Sequence, residues 1–313
     1  MVAIAIAVGS KCNIRCKHCC LSCGPRSEEH LSDEQISNLI DQCIKCPSVD
    51  TINFTGGEAL LHQSMIIEMI TKAHAGGLHA TIVSNGFWGI NVDHALHILR
   101  QLRSAGLSRL TLSYDDFHEE FIPASRIVNI LTANAQVHIP CAISMAVTRN
   151  HDGLKLIEKL GESAMGVPVT RFPVVPAGRA SQISATDLFL HNPDEIKSLR
   201  CPSYQILYHY DGKVYPCCSP SIFNTALTLG SISSTNVLQA QLKLSHSFVF
   251  SFLQQQGFLP LLKACQCKHL LPQHFRIVNV CDLCRQIFGN EERASVACSV
   301  IRDASSFRHT KRS

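Results

Sequence analysis

The sequence has no apolar run long enough to cross a bilayer. Its longest apolar opening, Val2 to Val8, leads straight into Lys11 and Cys12 and lacks the basic flank of an export signal. Neither an anchor nor a signal peptide is expected, and a membrane is not expected as a partner. The chain also lacks an excess of one charge: the formal net charge is +4 over 313 residues, part of it in Arg302, Arg308, Lys311 and Arg312. That balance supplies no basic face of the kind nucleic acid needs.

Cysteine is what the sequence has in excess, with sixteen residues. Secreted disulfide frameworks are usually short chains, so a chain of this length without an export signal points to reduced thiols, kept for metals or catalysis in a cytoplasmic compartment. The hydrophobic share of 46% is enough for a real core.

From residue 2 to about 175, short β-branched runs alternate with longer amphipathic segments, the pattern of parallel strands and crossover helices. Strands are expected at Val2 to Val8, Thr51 to Phe54, Ala80 to Ser84, Arg109 to Ser113, Ala142 to Val147 and Pro168 to Pro173. Helices are expected from Ser32 to Lys45 and from His62 to Ala75, with apolar residues three and four apart. The expected fold class is α/β, a partial (β/α)6 TIM-type barrel. Its unusual residues follow strands: the cysteine loop, then Gly56, Gly57 and Glu58, then Asn85 and Gly86, then Asp115. The C-terminal strand ends form the functional face of such barrels, so these segments should converge. After Ala180 the rhythm stops, and a second cysteine-rich region runs from Cys201 to Cys284.

Cys12, Cys16 and Cys19 are spaced to ligate three irons of one cubane cluster from a single loop. A zinc loop completed by Cys20 or Cys23 is the alternative. The Gly56-Gly57 pair lets backbone approach a ligand closely, and Glu58 can accept a hydrogen bond from an ammonium group. Standing alone, Gly-Gly-Glu would read as a turn. In the second region, Asp211-Gly212 reads as a hairpin turn that brings Cys201 and Cys217 together. With Cys281 and Cys284 these thiols suit an iron–sulfur cluster or a zinc ribbon. Adjacent strand side chains point to opposite faces, so Cys217 and Cys218 should not share a metal. An unpaired cysteine is more often a buried packing residue, the bland reading of whichever one is left over.

The Cys12-x3-Cys16-x2-Cys19 loop followed by Thr55-Gly56-Gly57-Glu58 resembles the signature of the radical SAM superfamily. That resemblance implies a 4Fe-4S cluster on Cys12, Cys16 and Cys19, whose open iron holds S-adenosyl-L-methionine and yields an adenosyl radical. It implies cofactor contacts from His18, Gly56, Gly57 and Glu58, and from Ser113, Asp115 and Arg149, for which a solvated loop end is the alternative. Cys201, Gly212-x4-Cys217 and Cys281-x2-Cys284 resemble the twitch form of the SPASM extension, which implies a second 4Fe-4S cluster on Cys201, Cys217, Cys281 and Cys284.

Longer stretches are more specific. Cys12 to Pro25, Phe54 to Glu58, Val83 to Gly89, Leu112 to His118 and Tyr208 to Pro220, with its doubled cysteine, resemble the YydG (EpeE) type of radical SAM peptide epimerases. This implies conversion of L to D residues in a ribosomally made precursor peptide, with Cys218 as the thiol that returns a hydrogen atom. A one-electron reductant such as flavodoxin or ferredoxin is implied as well. A twitch-type dehydrogenase or a peptide crosslinking enzyme is the alternative.

The expected organisation is a radical SAM barrel over residues 1–190, an auxiliary cluster domain over 191–290 and a basic, flexible tail over 291–313. No separate peptide-binding domain is recognisable before Cys12, so the barrel face or the second region is expected to read the peptide. Two departures stand out. Gln205 occupies a position where an acidic side chain is expected, and Pro176-Ala-Gly-Arg179 resembles the wider SPASM group more than this subgroup.

Overall fold

The computed structural model describes residues 2–202 and 204–309. Ser203, Lys311 and Arg312, all part of the stretches read above, lie outside the described residues. Six parallel strands run in the order of the chain: β1 (Val2–Ala7), β2 (Val49–Thr55), β3 (His79–Ser84), β4 (Leu107–Ser113), β5 (Cys141–Val147) and β6 (Val169–Pro173). Each begins and ends within two residues of the run that the sequence pattern marks. The sheet is open, with β6 at one edge, so the architecture is a partial barrel.

Six helices accompany these strands: α1 (Asp33–Ile44), α2 (Gln63–Ala75), α3 (Val92–Ser104), α4 (Asp116–Glu119), α5 (Ala124–Val137) and α6 (Leu154–Leu160). The first shows why the sequence folds as it does. Ser32 accepts from the Gln35 amide and Gln35 reaches back to the Ser32 amide, a reciprocal cap worth about 1 kcal/mol. Ile36, Leu39, Ile40 and Cys43 then fall on its buried face. Ile4, Ile6, Ile52 and Phe54 on the central strands are fully buried, and burying each contributes roughly 1.5–3 kcal/mol.

The second region does not begin a separate sheet. A hairpin of β7 (Leu207–His209) and β8 (Lys213–Tyr215) docks β7 in parallel against β1, and β9 (Gly230–Ser231) closes the far edge. Gly212 turns the hairpin at φ +81°, a left-handed conformation that suits glycine. Ile206, Tyr208 and Val214 therefore share the core of the barrel strands. Before this hairpin, Ile196, Leu199 and Cys201 already pack against a different core. A second core forms from α8 (Phe248–Gln255), α9 (Leu259–Cys267), α10 (Val280–Phe288) and α11 (Glu291–His309), with α7 (Val237–His246) packed on the barrel side; the labels follow chain order.

The expected flexible tail is corrected here. Residues Glu291–His309 form α11, and Ala297 and Ile301 are buried in the second core. A few apolar side chains on one side suffice to dock a helix whose composition is otherwise polar and charged. None of the helices among the described residues is long and apolar enough to cross a membrane.

Candidate functional site

The loop after β1 carries Cys12, Cys16 and Cys19, and all three line one open cleft of about 360 Å³. Gly56, Gly57, Glu58, Ser84, Asn85 and Ser113 line the same cleft, so the ends of β1 to β4 converge as the topology requires.

The glycine pair has a second reason to be glycine. The Gly57 and Glu58 amides donate to the carbonyls of Gly9 and Lys11 at 2.7 and 2.9 Å. A Cβ at Gly57 would lie 2.1 Å from the Lys11 oxygen, and one at Gly56, where φ is +133°, would lie 2.6 Å from the Gly9 oxygen. The close approach is thus to the cysteine loop itself, which the second strand end holds in place.

Glu58 is buried and accepts from Leu60 N, Ser84 Oγ and Asn85 N at 3.0, 2.9 and 2.7 Å. Burial nevertheless pushes its pKa up to about 7. A carboxyl in that condition favours a cation beside it. Asn85 links this carboxyl to the thiols: its Nδ2 reaches Cys12 Sγ at 3.7 Å and Asn13 Oδ1 at 2.9 Å.

The thiols are themselves desolvated. Burial pushes Cys12 up to about 11 and Cys16 higher. Cys19 moves down, because Cys23 hydrogen-bonds to it and Arg179 lies near. Three cysteines of one loop, Cys12 and Cys16 strongly desolvated and all facing one open space, fit a group that brings its own positive charge. An iron–sulfur cluster is such a group, and the ring of Glu58, Asn85 and Ser113 leaves room and polar partners for a ligand beside it.

His18 lines the cleft, stacked on Phe117 at 4.6 Å between ring centroids, with Nε2 3.3 Å from Asp115 Oδ2. Asp115 does not line it. Its carboxylate caps α4 through the Phe117 and His118 amides, takes the Ala146 amide at 3.1 Å and pairs with His118 Nδ1 at 2.8 Å. The pairing with His118 holds its pKa well below the usual carboxylate range despite burial. Arg149 also stays out of the cleft lining: its Nε donates to the Leu188 carbonyl at 3.2 Å, and its guanidinium lies over the Phe189 ring. A position just after a strand does not fix the direction in which a side chain points.

Sequence reasoning left His118 and Arg179 out of the site, and both line the cleft. The three-residue spacing of Asp115 and His118 on one helical turn was a usable signal for the first. The second stands in the Pro176-Ala-Gly-Arg179 stretch already singled out, but its partners lie 156 and 163 residues away, so that stretch does not show what it touches.

A second, much smaller cavity is lined by Cys201, Cys217, Cys281 and Cys284. Its remaining walls are largely apolar, among them Tyr204, Leu253 and Phe258. Cys281 and Cys284 lie three apart on α10 and so on one face. Four thiols from three chain segments form a donor set that could hold one metal centre. Cys281 lines both this cavity and the cleft, so the two sites adjoin.

Cys218 lines neither space. It is exposed, and its Sγ donates to Gln205 Oε1 at 3.1 Å, while the next residues, Ser219 and Pro220, line the cleft. The doubled cysteine is thus divided, one thiol facing the metal-type cavity and one standing outside it. Of the other cysteines, Cys20 and Cys23 line the cleft, Cys43 and Cys265 are buried, and Cys267 and Cys298 are exposed.

The family description "Radical SAM superfamily" matches residues 6–169. Over 296 residues the chain is 31% identical to YydG of Bacillus subtilis (strain 168), named for peptide biosynthesis, and the match covers 93% of each chain. A solved structure of anSMEcpe with bound AdoMet and a Cp18Cys peptide superposes with a TM-score of 0.54 at 14% identity, over 97% of this chain and 99% of that one. BtrN in complex with AdoMet and 2-DOIA gives 0.52 at 16% identity, over 86% and 92%. At such identities the two structures bear on the fold alone.

Proposed function

The chain belongs to the radical SAM superfamily, as an enzyme using S-adenosyl-L-methionine and a 4Fe-4S cluster, and from that premise we propose that it is a peptide epimerase. Its substrate is a ribosomally made peptide in which L residues become D. When bound, the cluster and the cosubstrate supply one-electron chemistry that removes a hydrogen atom from a substrate carbon. Cys12, Cys16 and Cys19 hold the cluster. Glu58, with His18 and Ser113, binds the cosubstrate in the cleft.

The observation that carries the reading is the position of Cys218. Its neighbour Cys217 turns into the four-thiol cavity, which we assign to a second 4Fe-4S cluster together with Cys201, Cys281 and Cys284. Cys218 is excluded from that set, beside the cleft rim, hydrogen-bonded to a neutral amide in Gln205. A neutral acceptor leaves the S–H proton on sulfur, and an S–H bond is what a hydrogen-atom donor needs. In the reaction, the peptide Cα–H bond breaks and the planar carbon radical takes hydrogen from Cys218 on its opposite face. The sulfur radical that remains needs one electron and one proton to reset, so a reductant such as flavodoxin or ferredoxin is the second partner. YydG carries peptide biosynthesis in its name, which supports the substrate class.

The test uses anaerobically reconstituted enzyme, a one-electron reductant, S-adenosylmethionine and a short peptide encoded beside the gene. Chiral analysis should find D residues in a product of unchanged mass. A product two hydrogens lighter would make the enzyme a dehydrogenase or crosslinking catalyst instead. Cys218→Ala should keep deoxyadenosine formation and lose the D product.

A further inference from the structure

The cysteine loop has almost no secondary structure of its own, so its shape depends on what grips it. Residues 10–31 form only isolated bridges and turns, yet three ligand positions must be held to a fraction of an ångström. One grip comes from Gly57 and Glu58, as described. The other comes from the far side of the cleft, in the turn Gly178–Gln182 that follows β6.

There Arg179 binds three carbonyls of the loop. Its backbone amide donates to Cys19 O at 3.0 Å, its Nε to Cys16 O at 2.9 Å and its Nη2 to Cys23 O at 2.5 Å. The preceding Gly178, at φ +56°, lies against the loop so closely that a Cβ would fall 2.3 Å from the Cys20 oxygen. Among the described residues Arg179 is also the one Lys or Arg that lines the cleft. A guanidinium is planar, always charged and able to hold two acceptors in a fixed fork, which a lysine ammonium does not reproduce.

We infer that Arg179 is a positioning residue of the radical-generating site, which locks the Cys16–Cys23 stretch in its ligand-holding shape and sets a fixed positive charge beside the cluster. The inference needs only the superfamily assignment and is independent of whether the product is a D residue. Charge and hydrogen bonding around a cluster tune its reduction potential. A cation beside thiolate ligands favours the more negative, reduced cluster, so it raises the midpoint. The two roles can be separated, because lysine keeps the charge and loses the fork, whereas glutamine loses the charge.

The experiment compares the reconstituted enzyme with Arg179→Lys and Arg179→Gln. Amide exchange is followed over residues 16–23, and the midpoint of the cluster signal that responds to added S-adenosylmethionine is measured by EPR-monitored titration. Both variants should exchange faster over 16–23 while β3 and α9 keep wild-type protection, which separates a loosened loop from global unfolding. The midpoint should stay near wild type in Arg179→Lys and move to more negative potential in Arg179→Gln. Loss of iron from the first site in either variant, with β3 protection intact, would equally support the role. Wild-type exchange over 16–23 and an unshifted midpoint in both variants would overturn it.

Discussion

The two cysteine sites differ in how much they leave open. The first brings Cys12, Cys16 and Cys19 of the predicted ligand set to a broad cleft that Cys20 and Cys23 also line, with Glu58, Ser84, Asn85 and Ser113 on its other walls. The second gathers four thiols from three segments around a small cavity with largely apolar walls. In metal sites generally, a saturated donor set marks a centre that stays closed, and a missing ligand marks one where substrate or cosubstrate enters. Under the proposed function the first site makes the reactive species, the second holds structure or passes electrons, and Cys218, which lines neither space, is the hydrogen-atom donor.

Removing a thiol from each site is the strongest way to break this comparison. Cys16→Ala should abolish S-adenosylmethionine cleavage and halve the iron, from about eight to about four per chain. Cys284→Ala should also remove about four irons, yet retain cosubstrate cleavage in the absence of peptide, with a lower melting temperature. Zinc in the second site, measured by elemental analysis, would refute its assignment to iron and sulfur. A smaller effect is expected from Glu58→Gln, which removes charge at constant shape: affinity for S-adenosylmethionine should fall about tenfold, roughly 1.4 kcal/mol.

The smallest effect is the pH dependence of that difference. Burial places the free Glu58 carboxyl at about 7, so it is protonated below that value and ionised above it. A protonated carboxyl attracts the ammonium less, so the advantage of Glu58 over Gln should be full above pH 8 and shrink as pH falls through about 7. Isothermal titration at several pH values reads it directly, and a pH-independent difference would contradict the assignment.

The strands were legible because their β-branched runs are bounded by polar or glycine residues, and the hairpin because Asp211-Gly212 is a strong local signal. The convergence of Cys12, Glu58, Asn85 and Ser113 followed from strand order alone. Direction was harder to read. Asp115 follows a strand like the others, but its carboxylate is consumed by His18, His118 and backbone amides, so it orients His18 from behind. Helix α11 was missed because only a few of its residues, such as Ala297 and Ile301, are buried, too sparse a pattern to show in composition. Arg179 was missed because its partners are distant in sequence, and no local pattern encodes a contact made across the cleft.

The central claim is that the Cys218 thiol returns the hydrogen. Turnover in deuterated water tests it most directly, since the Cys218 S–H exchanges with solvent while the peptide Cα–H does not. The account predicts one solvent deuterium at each inverted Cα with wild-type enzyme, and neither deuterium nor inversion with Cys218→Ala while deoxyadenosine still forms. D residues without solvent deuterium, or inversion that survives the loss of Cys218, would contradict it.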